Sequence, residues 1–288
     1  HVYLLGKVPS PKILLKAFEE VKPNLILTVP LILEKIYKKM ILPQLSKTTM
    51  KVALNIPLLD SRIYAQIRKK LVDAFGGRFR EVIVGGAAMN EEVTNFLYKI
   101  KFPFTIGYGM TECGPLISYD HNDEYVPGSC GQILKGIMKV RIDSEDPYNK
   151  VGEIQVSGEN VMKGYYKNEE ATSKVFTEDG WLRTGDLGTI DADNRIYIRG
   201  RSKTMILGAS GQNIYPEEIE SKLNNLPFVM ESIIIEKNGK LVGLVYPDYD
   251  TVDSTGAPYE AVSTLQLYPT EFEKTPKKSI KRYLYSNY

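Results

Sequence analysis

Between Ser10 and Tyr108 the apolar residues switch repeatedly between a helical and a strand period. That alternation restricts this part of the chain to a mostly parallel sheet with helices packed on it. Ser10-Pro11 joins a capping residue to a first-turn proline and opens an amphipathic helix through Lys22, which Pro23 ends. Asn24-Leu-Ile-Leu-Thr-Val29 predicts a short buried strand. Ile63, Ile67, Leu71 and Phe75 share one helical face, and Gly76-Gly77 closes that helix. Glu81-Val-Ile-Val84 predicts a second strand, Asn90 caps another helix, and Phe104-Thr-Ile-Gly-Tyr108 is the next strand.

From about Pro127 the texture changes. Glycines punctuate short alternating segments such as Gly152-Glu-Ile-Gln-Val156 and Arg195-Ile-Tyr-Ile198, which predict an antiparallel, barrel-like β region. From Ser202 a small α+β module follows: two short strands, a helix over 216–226, strands over 232–236 and 240–246, and a further apolar stretch at Ser263-Thr-Leu-Gln-Leu-Tyr268. The expected architecture is α/β, with a partial parallel subdomain over 1–126, a β-rich subdomain over 127–201 and a mobile C-terminal α+β domain over 202–288.

Composition removes several function classes. A net charge of +2 leaves no electrostatic footprint for nucleic acid, and Lys277-Lys278 reads as solvated surface. The two cysteines, Cys113 and Cys130, have neither metal-ligand spacing nor a disulfide framework, which suits a reducing cytoplasm. His1 and His121 leave little room for a histidine-based triad or a zinc site. No apolar run approaches the roughly 18 residues of a membrane span. The expected location is cytoplasmic, with peripheral membrane contact and oligomeric state left open.

Gly107-Tyr-Gly-Met-Thr-Glu112 lies at a strand end, where glycines let the backbone approach a ligand closely. Thr111 can donate to a phosphate oxygen, and Glu112 is a hard oxygen ligand of the kind magnesium prefers. Gly85-Gly-Ala-Ala-Met89 also follows a strand, at the end of the sheet where open α/β folds bind ligands. A bare Gly-Gly turn would account for it equally well. Trp181 and Leu187 read as core.

Taken with Trp181-Leu-Arg-Thr-Gly-Asp-Leu-Gly188, Arg199-Gly-Arg-Ser-Lys203 and Gly211-Gln-Asn-Ile-Tyr-Pro-Glu-Glu-Ile-Glu220, this order and spacing resembles the adenylate-forming enzymes. That superfamily comprises acyl-CoA synthetases, peptide-synthetase adenylation domains and luciferases. The resemblance implies activation of a carboxylate with ATP and Mg2+, then transfer of the acyl group to a thiol. It implies that Tyr108 stacks on adenine, Thr111 touches phosphate and Glu112 binds magnesium, with Gly109 and Met110 in the same nucleotide-binding run. It places Gly85, Gly86 and Ala87 beside adenine and the acyl group. Asp186 matches the ribose clamp, Arg201 a contact to ribose or phosphate, Lys203 the hinge between two working states, and Gly211 the glycine that approaches the incoming thiol.

The family's C-terminal lysine falls in Lys274-Thr-Pro-Lys-Lys-Ser-Ile-Lys-Arg282. Aligning Thr275-Pro276 with the family's Thr-Pro puts Ser279 on the expected position. A shift of one residue selects Lys278, and a shift of two selects Lys281 or Lys277. The family's Ser/Thr/Gly-rich phosphate loop has no counterpart before Gly107, so the chain reads as the later part of a longer enzyme, inactive as a ligase by itself.

Thr28-Val-Pro30 followed by Leu31–Met40, Glu271-Phe-Glu-Lys-Thr-Pro-Lys277, and Leu5-Gly6 with its Pro-Lys helix start resemble the long-chain fatty acid–CoA ligase branch. Fatty acid, ATP and coenzyme A are the partners this implies. Residues around Phe102–Phe104 and Leu116–Tyr119 would line an acyl tunnel or belong to the core. An acyl-carrier protein as thiol acceptor, or a nucleotide- or acyl-binding fragment without activity, are the competing readings.

Overall fold

The computed structural model describes residues 11–208, 211–226, 229–249, 265–275 and 279–286. They form two compact units: the described residues within 1–138, 159–162 and 193–196, and those within 139–158, 163–192 and 197–288. Ser10, the expected cap of the first helix, lies outside the described residues, as do Lys277 and Lys278.

The first unit follows the βαβ alternation. Helix α1 (Pro11–Val21) leads to β1 (Leu25–Thr28). Helix α2 (Pro30–Ile36) runs through a π-helical turn, Tyr37–Ile41, into the short α3 (Leu42–Leu45) and α4 (Thr48–Ala53), and α5 covers Leu59–Ala74. Then come β2 (Glu81–Val84), α6 (Glu91–Lys99) and β3 (Phe104–Ile106). The three strands pair in parallel in the order β1-β2-β3, with Thr28 opposite Val84 and Val84 opposite Ile106. As read from the sequence, Asn90 caps α6, its side chain accepting from the Val93 amide at 3.2 Å. Gly76 and Gly77 close α5 with φ of +93° and +72°. Gly76 also lets two helices meet, since a Cβ there would lie 2.5 Å from the Phe18 carbonyl oxygen of α1.

The expectation of a buried first strand is corrected. Ile26 is buried, but Leu25 and Leu27 are 51% and 74% exposed, because period 2 turns them to the face opposite Ile26. Phe102 and Phe104 are core: Phe102 packs edge-on to Phe75 at 5.6 Å, and Phe104 meets Tyr125 at 5.0 Å. Truncating such a buried ring costs about 3–5 kcal/mol.

Beyond β3 the chain forms a tight hairpin of β4 (Tyr108–Gly109) and β5 (Leu116–Ser118). The β-rich part of the chain is β6 (Met138–Asp143), β7 (Gly152–Gly158), the short helix α7 (Glu169–Val175), β8 (Leu182–Ile190) and β9 (Ile196–Arg201). Among the described residues these strands make an open four-stranded sheet, β6-β7-β8-β9, where a barrel-like closure was expected. Leu187 is buried as expected, but Trp181 is only half-buried, with the Arg141 guanidinium 4.6 Å above its ring.

The C-terminal α+β elements are the ribbon β10 (Ile206–Leu207) and β11 (Asn213–Ile214), helix α8 (Pro216–Leu223), and the sheet β12 (Val229–Lys237), β13 (Lys240–Pro247) and β14 (Leu265–Leu267). Helix α8 ends at Leu223, earlier than its apolar pattern suggested, and Asn224 is its C-cap. Ile233, Ile235, Leu244, Phe272 and Tyr285 form the core here. Among the described residues no helix is long and apolar enough to cross a membrane.

Candidate functional site

The glycine-bearing elements of the first unit lie where the parallel strands end. Gly85 follows β2, and a Cβ on it would lie 3.3 Å from the Gly107 carbonyl oxygen, so the two strand ends touch through their backbones. Gly86 has φ +88° and open space around its Cβ position, and Ala87 is exposed. The left-handed backbone, not crowding, is what asks for glycine at 86.

Tyr108, in β4, is 7% exposed. Gly109 is exposed, and Met110 is half-buried with its amide donating to the Pro115 carbonyl at 2.8 Å. Thr111–Cys113 forms a single 3-10 turn that leaves Thr111 exposed and Glu112 half-exposed. The Glu112 carbonyl accepts from the Met162 amide at 2.8 Å. Asn160 Nδ2 donates to the carbonyls of Cys113 at 2.6 Å and Leu116 at 2.9 Å. Neither Asn160 nor Met162 stands out in the sequence; both lie beyond β7, and no spacing ties them to the hairpin. Cys113 is buried, which pushes its thiol up to about 11, and the nearby Glu112 charge adds to the shift. It is therefore an inert packing residue.

In the second unit, Asp186 owes its position to an irregularity in the sheet. On β7 and β8, Glu153 pairs with Leu187 and Gln155 with Arg183, so Thr184-Gly185-Asp186 forms a bulge opposite Ile154. The bulge is well fastened. Thr184 Oγ1 donates to the Ile154 carbonyl at 2.7 Å and accepts from the Asp186 amide at 3.1 Å. Gly185 takes φ +72°, and its carbonyl receives the Ser202 amide at 2.9 Å. Bulges of this kind re-aim side chains beside functional sites.

Asp186 is 6% exposed, and its Oδ1 lies 3.0 Å from Nε of the largely exposed Arg201. The structure thus brings together two residues that the motifs singled out separately. Lys203 is exposed in the turn that follows Arg201, where the Met205 amide returns to the Arg201 carbonyl at 3.0 Å. Gly211 is exposed at the tip of the β10–β11 ribbon with φ +80°. Lys281 is half-buried, with Nζ 3.2 Å from Glu273 Oε2.

No cluster of three or more His, Cys, Asp or Glu side chains suited to a metal occurs among the described residues. The half-exposed Glu112 carboxylate is the kind of oxygen donor a hard divalent ion takes. That fits magnesium, which takes most of its shell from water and substrate phosphates.

A family model of AMP-binding enzymes matches residues 1–166, and the chain belongs to that family. It is similar to long-chain-fatty-acid–CoA ligase 1 of Saccharomyces cerevisiae, 28% identical over 250 residues that cover 80% of this chain and 36% of the relative. It is similar to 4-coumarate-CoA ligase 1 of Narcissus pseudonarcissus, 33% identical over 192 residues that cover 62% of this chain and 35% of the relative. Among solved structures, ATP-bound MatB from Rhodopseudomonas palustris superposes with a TM-score of 0.72 at 24% identity, covering 99% of this chain and 54% of that one. The fold is that of the adenylate-forming enzymes, and the chain spans about a third of the length of these curated relatives.

Proposed function

We propose that the protein carrying this chain is an ATP-dependent acid–CoA ligase that activates a long-chain fatty acid as its adenylate and passes the acyl group to coenzyme A. The observation that carries this reading is the Asp186–Arg201 pair on its bulge, a buried carboxylate held ready to accept from vicinal ribose hydroxyls. In this reading the flat Tyr108 ring packs on adenine, the exposed Thr111 hydroxyl donates to a phosphate oxygen, and Glu112 is the protein's ligand to magnesium. Magnesium, when bound, offsets phosphate charge.

Gly85, Gly86 and Ala87 leave room for adenine and the acid. Residues 202–288 act as the mobile domain, with Lys203 as pivot and Gly211 opposite the thiol. Lys281 or Lys278 supplies the cation for the carboxylate. A surface ion pair such as Lys281–Glu273 is worth at most about 1 kcal/mol, so a substrate carboxylate could displace it.

The long-chain acid rests on the resemblance of the Thr28–Met40 segment to the fatty acid ligase branch; the relatives themselves include both fatty acid and 4-coumarate ligases. The test is thioester formation by the intact protein with palmitate or 4-coumarate, and with coenzyme A or an acyl-carrier protein as acceptor. Palmitoyl-CoA as the main product is the expected result. A preference for 4-coumarate, or for the carrier protein, would overturn the substrate or acceptor assignment.

A further inference from the structure

The turn of the Tyr108–Ser118 hairpin has backbone bonds of its own, from the Met110 amide to the Pro115 carbonyl at 2.8 Å, from the Cys113 amide to the Met110 carbonyl at 3.0 Å and from the Gly114 amide to the Thr111 carbonyl at 3.3 Å. The carbonyls of Glu112, Cys113 and Leu116 are all met by the short stretch Asn160–Met162. Asn160 does most of this, since its one Nδ2 donates to carbonyls on both sides of the turn. The amide's orientation is fixed by its neighbours: two carbonyl oxygens can be met only by the NH2 end. Its Oδ1 is buried with no protein donor. The Nδ2 end of the amide is therefore committed to the turn that carries Thr111 and Glu112.

We propose that Asn160 is a positioning residue for adenylation, acting through Glu112 and Thr111 without touching substrate. The inference rests on the reading of Glu112 as the magnesium ligand. By tying Cys113 and Leu116 it fixes where the turn stands, and the Met162 amide fixes the peptide plane of Glu112 itself. A displacement of about 1 Å in such a group costs on the order of a hundredfold in rate. Asn160→Asp keeps the shape but sets oxygens against both carbonyls, and Asn160→Ala removes the donors without adding charge.

The experiment is pyrophosphate–ATP exchange in the intact protein, driven by palmitate or 4-coumarate and titrated with magnesium, for Asn160→Ala, Asn160→Asp, Glu112→Gln and the double variant Asn160→Ala/Glu112→Gln. The expected result is a fall of about 10- to 100-fold for either Asn160 variant. The half-saturating magnesium concentration should rise, and the protein should remain folded with a lowered melting temperature, more so for Asn160→Asp. In the Glu112→Gln background the Asn160→Ala loss should largely disappear, because both changes disable the same ligand.

Wild-type exchange and magnesium dependence in Asn160→Ala, or a fully additive double variant, would overturn the proposal while leaving the Glu112 reading intact. Failure of both Asn160 variants to fold would overturn it too, by making Asn160 a structural residue. Wild-type exchange by Glu112→Gln would remove the reading of Glu112, and the proposal with it.

Discussion

The guanidinium of Arg282 forks onto the carboxylate of Glu220, with Nη1 2.6 Å from Oε1 and Nη2 on Oε2. Glu220 Oε1 also accepts the Ile234 amide at 2.6 Å, so one carboxylate joins helix α8, strand β12 and the last described turn of the chain. Arg282→Met leaves Glu220 buried without its partner. The full cost of breaking a buried pair is about 3–5 kcal/mol. With a quarter of the Arg282 side chain still exposed, at 25%, about 3 kcal/mol is expected. Arg282→Met/Glu220→Gln should recover part of it, because glutamine removes the buried charge and can still accept the Ile234 amide. Hydrogen exchange of peptides from β12 and β13 in the intact protein reads this directly, and unchanged protection in Arg282→Met would refute it.

Asp186→Ala should reduce kcat/KM for ATP at least tenfold. Hydrogen bonds to a charged group contribute about 1.5–3 kcal/mol each, and this carboxylate can make two to a ribose. Its bulge is held by Thr184 and Gly185, so the local backbone should survive the change. Pyrophosphate–ATP exchange across an ATP titration is the measurement. An unaltered profile would disprove the ribose assignment.

Lys203→Pro should separate the two half-reactions. Proline fixes φ near about −65° and so restricts the backbone at a pivot. Lys203 is exposed in its turn, so little packing is lost. Isotope exchange reports adenylation, and thioester formation from supplied acyl-adenylate reports transfer. Unequal losses are expected. Equal losses with the fold intact would mean that the pivot lies elsewhere.

Glu81 should make the first unit acid-sensitive. Burial pushes its carboxyl up, but hydrogen bonds from Tyr119 Oη and from the Asn122 amide and side chain, with His121 nearby, outweigh that and hold its pKa below the usual value. A depressed carboxyl contributes stability above its unfolded pKa and loses it as pH falls through the folded one. The contribution should therefore be whole at neutral pH and fade below about 4.5. Glu81→Gln should be less stable than the parent at pH 7 by about 1–2 kcal/mol. The gap should narrow on acidification; a constant gap would contradict it.

The parallel sheet was legible because its signals are local. The glycine pair after α5, the Asn90 cap and the strand over 81–84 each act within a few residues of where they are written. What was hidden depends on partners distant in sequence. The exposure of Leu25 and Leu27 follows from which face of β1 meets the helices, which no property of those residues announces. The bulge that presents Asp186 arises from pairing with Glu153 and Gln155, and the motif gave the residue without its geometry. Asn160 was invisible for the same reason, since its bonds reach back 47 residues to Cys113 and 44 to Leu116.

A Cβ at Gly109 would lie 2.0 Å from the Pro115 carbonyl oxygen. At that point the hairpin has no slack into which a side chain could grow, so its outline is drawn by main chain alone. Substitution can change the chemistry that Thr111 and Glu112 offer. At Gly109 the frame that presents them admits no side chain at all, whereas at Asn160 it is set by hydrogen bonds that substitution can loosen.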